Sequence, residues 1–133
     1  MKEEQREAFK RSKALVTRTC ELNGIARAVV QTTPIAYGLY GLYLRAEKLI
    51  LVHVTPRTPS VCTECREDVS LESTVAHELG HHLDEELFLR RSFPCGERVF
   101  NYEPNAGEAL AESIRLFIIA PERFQWLNKR IRV

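Results

Sequence analysis

Residues 77–81 read His-Glu-Leu-Gly-His, two histidines four positions apart with a glutamate directly after the first. On a helix, side chains four apart lie on one face, so His77 and His81 can reach a single ion. Neutral imidazole is a good zinc ligand, and Glu78 is close enough to address a water activated by that ion. The chemistry this suggests is hydrolysis. Zinc lowers the pKa of a water toward ~7 and polarises a carbonyl, while Glu78, as general base, takes the water proton and passes it to the leaving amine. The plainer reading of a helical histidine is a hydrogen-bonded core residue. At about 100° per residue, Leu71, Val75, Ala76, Leu79, Leu83 and Leu87 spread over one broad side of this helix. His77 and His81 fall on roughly the opposite side, close to Asp84 and Phe88, which argues against the plainer reading.

A catalytic zinc usually has three protein ligands and an open position for water. A metzincin would place a histidine six residues after His81. Leu87 stands there, and Asp84 stands where that class has glycine, so the class is excluded. His82 points about 100° away from His81, and His53 falls in a strand before the helix. A glutamate of the following helix is the better candidate. Residues 105–117 read Asn-Ala-Gly-Glu-Ala-Leu-Ala-Glu-Ser-Ile-Arg-Leu-Phe, with Glu108 and Glu112 on one face and Leu110, Ile114 and Phe117 on the apolar one. Taken alone, that helix reads more readily as carrying two solvated surface carboxylates; following an H-E-x-x-H helix, the balance reverses.

The run 77–84 (HELGHHLD), a spacer, and 108–117 (EALAESIRLF) resemble the gluzincin-type zinc metallopeptidases, among them the catalytic domain of anthrax lethal factor and related small peptidases. The likeness continues into 121–128 (PERFQWLN) and lies in the C-terminal half of the chain. It implies a zincin-like fold and a Zn2+ ion held by His77, His81 and Glu108, the first acid of an E-x-x-A-E pattern. Glu112, the second acid, would support a ligand histidine. The family also places a tyrosine shortly before the ligand glutamate, where its hydroxyl helps bind the oxyanion. Tyr102 is the nearest match, although the family spacing falls one residue earlier, on Asn101. The substrate implied is a peptide or protein. Zincins commonly take peptides along a sheet edge, here strand 37–44, where Gly38 and Gly41 would let a backbone approach or would mark a bend. The alternative is a binding or regulatory protein on the same scaffold, with weak or no peptidase activity. The intact general base Glu78 argues against it.

Other elements must position these residues. A helix is predicted over 3–22, with Ala8, Leu15 and Leu22 repeating every seven positions and Phe9, Val16 and Cys20 beside them. Asn23-Gly24 is a good helix stop. Strands follow at 25–33, 37–44 and 48–54, the last two joined by the polar turn Arg45-Ala46-Glu47 into a hairpin. After a loop at 55–68, the metal-binding helix should start at Asp68 or Ser70 and run to about Leu89. A second loop covers 90–105, a third helix 106–119, and Pro121 opens a last helix. The order favours a single α+β domain over 1–133, with a small antiparallel or mixed sheet.

The bulk properties fit that reading. The chain has 133 residues, 44% hydrophobic and 28% charged, which suits one globular domain. A net charge of +1 provides no general attraction to nucleic acid or acidic membrane, so neither is an expected partner. No apolar run reaches the length of about eighteen residues needed to span a bilayer. The N-terminus mixes acids and bases without an apolar core, so no secretory signal is expected and the expected location is cytoplasmic. Oligomeric state is not set by these features. Of Cys20, Cys62, Cys65 and Cys95, the C-x-x-C pair could be half of a second zinc site or a redox pair. With no second C-x-x-C, reduced thiols are the expectation. Lys129, Arg130 and Arg132 read as a solvated helix end.

Overall fold

The computed structural model describes residues 3–33, 40–53, 70–89, 106–123 and 125–133. Helix α1 (Glu3–Leu22) carries Glu3 and Glu4 in its first turn, where carboxylates suit the positive end of the helix dipole. It buries Ser12, Val16, Thr19 and Cys20, with Ala8, Phe9 and Leu15 at the margin of the core. Leu22, expected on the inner row, is 46% exposed. The reason is geometric: a seven-residue row drifts by about 20° per heptad on a straight helix. The chain leaves α1 through Asn23, whose N–H donates to Thr19 O at 3.1 Å, and Ile25, whose N–H donates to Cys20 O at 3.1 Å. Because Ile25 N–H is committed to capping α1, the strand expected from 25 begins only at Val29.

Strand β1 (Val29–Thr33) pairs parallel to β3 (Leu49–His53), and β2 (Gly41–Leu44) pairs antiparallel to β3. The second pair is the expected hairpin, with Leu44 opposite Leu49. The sheet is mixed, in the order β1-β3-β2. Ile50 and Val52 alternate along β3 toward the core. Arg45 and Lys48 in the hairpin turn meet Glu85 (3.3 Å) and Glu86 (2.6 Å) of the following helix. Such pairs contribute little stability at a surface but orient the hairpin over that helix.

Helix α2 (Leu71–Leu87) is capped by Ser70, whose side chain accepts the Ser73 N–H at 3.2 Å. It ends at Phe88 in the left-handed region (φ 55), whose N–H returns to Asp84 O. α2 packs against α1, β2 and β3, and also against α3 (Ala106–Ile119). Val75, Leu79 and Leu83 of α2 join Val16, Val30, Ile50 and Val52 in one core with Leu110, Ile114 and Phe117 of α3. Each such side chain, fully buried, contributes about 1.5–3 kcal/mol. After α3 the expected last helix is two short 3-10 helices, Pro121–Arg123, opened by Pro121, and Gln125–Lys129. They set Leu127 and Ile131 into the core. Asn23 ties down the tail, donating from Nδ2 to Arg132 O (2.8 Å) and accepting Arg132 N–H (2.9 Å). Lys129, Arg130 and Arg132 are exposed, as a solvated end should be.

Among the described residues the architecture is therefore α+β, with three α-helices and a small three-stranded sheet. Among the described residues, no helix is long and apolar enough to cross a membrane.

Candidate metal centre

The side of α2 that carries His77 is covered by α3, so the histidine and its carboxylate partners lie between two helices. The close approach depends on Gly80. A Cβ at that position would stand 2.9 Å from both Cα and O of Ala111. Glycine inside a helix costs about 1 kcal/mol relative to alanine, and here it permits backbone-to-backbone contact. Ala111 adjoins Glu112 and lies within a turn of Glu108, so the contact carries both carboxylates against the histidines.

The Glu108 carboxylate bridges the two imidazoles. Its Oε2 lies 3.0 Å from His77 Nε2 and its Oε1 lies 2.9 Å from His81 Nε2. The possible ligand atoms of His77, His81 and Glu108 all lie within 4.8 Å of one another, a group that could hold a metal ion. Zinc with ligands at about 2.0–2.2 Å in a tetrahedral arrangement would set neighbouring donors roughly 3.3 Å apart. The donor types suit such an ion, and the Glu108 spacings of 3.0 and 2.9 Å to the two histidines lie close to that separation. On the far side of the His77 ring, Nδ1 donates to Glu112 Oε2 at 2.8 Å. Glu112 is 1% exposed, so it is not a solvated surface acid.

The charges reinforce one another. Burial works against a charged His77, but the Glu108 and Glu112 carboxylates outweigh it and hold the imidazole up at about 10. Hydrogen bonds from His77 and His81 hold Glu108 well below the usual carboxylate range. Burial acts to raise Glu112, yet His77 and Arg115 outweigh it and the net direction is down. Glu78 is also buried, and burial pushes its carboxyl up, while His77 and His81 pull against that shift. The Glu78 stem lies against β2: a Cβ on Gly41 would come within 3.3 Å of Glu78 Cγ and 2.6 Å of Thr74 Cγ2. The Cβ direction of Gly41 is thus filled by side chains of α2, so glycine here lets α2 approach β2 closely.

No family model, curated protein or solved structure matches this chain. His82, which the sequence places off the metal-binding face, is a fully buried core histidine. Its Nε2 donates to Ala26 O at 2.7 Å and its Nδ1 accepts from Tyr43 Oη at 2.8 Å. His53 ends β3 and is not part of the metal-binding group. β2 lies at an edge of the sheet among the described residues. Tyr102, Gly38, Cys62, Cys65 and Cys95 lie outside the described residues, as do 55–68 and 90–105, while Cys20 is a free, buried thiol. Sequence reasoning passed over Gly80, Ala111, Ser73 and Arg115. Gly80 carried a usable signal, since a glycine in mid-helix calls for a packing reason.

Proposed function

We propose that the protein is a zinc-dependent peptidase of zincin-like fold, related in its site to the gluzincin-type enzymes. The observation that carries this reading is the convergence of His77, His81 and Glu108 within 4.8 Å, with Glu78 on the same helix turn. Zinc, when bound, supplies Lewis acidity and brings the pKa of water toward neutrality. His77, His81 and Glu108 hold the ion, and Glu112 orients His77 through Nδ1. Glu78 accepts the proton of the attacking water and delivers it to the leaving amine. Its setting is buried, and burial raises its carboxyl. Tyr102 is assigned the oxyanion contact on the family resemblance alone.

The test pairs elemental analysis of the purified protein with a broad peptide-library cleavage assay on wild type and Glu78→Gln. We expect about one zinc per chain in both proteins, and a loss of about 10²–10⁴-fold in hydrolysis in the variant. Undiminished turnover in Glu78→Gln would refute the mechanism. Zinc without any cleavage in wild type would favour a binding or regulatory protein on the same scaffold.

A further inference from the structure

Arg115, described so far only as a charge that lowers Glu112, is buried at the same helix contact, 4% exposed. Arginine is seldom buried without partners that satisfy it. Here Nε donates to Glu112 Oε1 at 2.7 Å, Nη2 donates to the same oxygen, and Nη1 donates to Ser73 Oγ at 2.6 Å. The two oxygens of Glu112 are therefore divided: Oε1 is gripped by the guanidinium and Oε2 accepts from His77 Nδ1. The terminal torsion of a glutamate is broad and weakly held by itself. Left alone, the carboxylate could rotate and carry Oε2 off the imidazole. A planar guanidinium fixed on one oxygen blocks that rotation. Ser73 precedes His77 by one helical turn, so Nη1 fixes the guanidinium to the very helix that bears the histidine.

We propose that Arg115 is a positioning residue of the metal centre, acting through Glu112 to hold the His77 ring with Nε2 facing Glu108 and His81. The inference rests on the metal-site reading given above. It differs from simple charge balance, which a lysine would also provide. Lysine offers a compact ammonium in place of the planar fork and cannot hold Glu112 and Ser73 together in the same way.

Wild type, Arg115→Lys, Arg115→Met, Glu112→Gln and the double variant Arg115→Met/Glu112→Gln are compared by two measurements. Zinc affinity is read by competition with a chromogenic chelator. The exchange of the His77 Nδ1 proton with water is read by NMR on protein with ¹⁵N-labelled histidine and no added zinc. A supporting group of this kind typically costs 10–100-fold in metal affinity, so we expect a loss of about that size in both Arg115 variants. The Nδ1 proton, slowly exchanging in wild type, should exchange rapidly in both. The double variant should bind zinc within about twofold of Glu112→Gln alone, because the effect passes through Glu112. If Arg115→Met fails to fold, Arg115→Lys, which keeps the charge, decides the matter. Wild-type affinity and a protected proton in Arg115→Lys would overturn the proposal, as would losses that simply multiply in the double variant. Should wild type bind no zinc, the metal reading fails, and the proton-exchange comparison still decides whether Arg115 orients His77.

Discussion

His77 and His82 lie five positions apart on α2, roughly 140° around it at about 100° per residue, and both are buried. Their ring nitrogens are committed differently. His82 faces the segment between α1 and β1 and strand β2, where its partners are neutral. A backbone carbonyl can only accept, so Nε2 carries the proton given to Ala26 O, and Nδ1 is left to accept from the Tyr43 hydroxyl. Burial pushes its pKa down, in keeping with a neutral ring. No lone pair remains for a ligand. His77 faces α3, where its partners are carboxylates. Nδ1 donates to Glu112, and Nε2 faces the Glu108 carboxylate beside His81 Nε2. The helix thus has a histidine that fastens the fold on one side and, on the other, one whose Nε2 can become a ligand by giving up its proton to an incoming ion. Residue type and burial do not separate them; the chemistry of the partner does.

The largest effect should come from breaking each side in turn. His77→Ala/His81→Ala should abolish tight zinc binding, read as metal content after dialysis. His82→Ala should leave zinc content unchanged and lower stability on the order of 2 kcal/mol, because it leaves a cavity and unpaired partners. Urea unfolding would measure that loss. Full zinc occupancy in the double variant would mean that the metal sits elsewhere, with the cysteines then suspected.

The next effect lies within the coordinating side. Glu108→Ala leaves two histidines, poor coordination for zinc, and should release the ion to a mild chelator. Glu112→Gln should weaken binding by only about 10–100-fold. The isostere is preferred here, since its amide oxygen can still accept from Arg115, whereas Glu112→Ala would leave the buried guanidinium without that acceptor. A reversed order would move the third ligand one turn along α3.

Gly80→Ala probes the helix contact that brings the two sets of partners together. The added methyl meets the Ala111 backbone, which cannot swing aside, and overpacking of this kind costs about 1–3 kcal/mol. Zinc binding should weaken along with stability, because the carboxylates ride on α3. The Tyr43–His82 bond, on the other side of α2, should survive. Unchanged zinc affinity would show that the two helices can separate without disturbing the centre.

Much of this division could be read from the chain. Periodicity located α1, α2 and α3, and the polar turn at 45–47 located the hairpin, because those signals are local. The four-residue spacing put His77 with His81, and Glu108 with Glu112, on single helix faces. What stayed hidden depended on how faces meet. Whether Glu112 was a solvated acid or a buried one could not be decided without knowing that α3 covers α2. Residue types alone could not rank Glu108 against Glu112; the packing sets the first against both Nε2 atoms and the second against Nδ1. Leu22 misled because a sevenfold row only approximates a 3.6-residue helix. The 3-10 turns after Pro121 depend on Leu127 and Ile131 reaching the core, a tertiary demand that overrides local helix preference.

The smallest expected effect tests the fastening side alone. Tyr43→Phe removes the hydroxyl that donates to His82 Nδ1 at 2.8 Å. A hydrogen bond of this kind is worth about 0.5–1.5 kcal/mol net, and an acceptor left without a partner raises the cost. Tyr43 is only partly buried, so water can replace some of what is lost, and a loss of about 1 kcal/mol is expected. Zinc affinity should not change. The pH dependence probes the surroundings of the same phenol. Burial, with Glu86 and Glu85 nearby, pushes the Tyr43 phenol up to about 12, whereas an unfolded tyrosine titrates near about 10. The folded protein therefore favours the protonated phenol more than the unfolded chain does. This contribution to stability is fully present below the unfolded value and is lost as pH rises from there to the folded one. Wild type should lose stability across that alkaline interval more steeply than Tyr43→Phe, so the gap between their urea midpoints should narrow. A gap that stays constant through the interval would show that the phenol is not held in its protonated form. A fall in zinc affinity would show that the fastening and coordinating sides of α2 are coupled rather than separate.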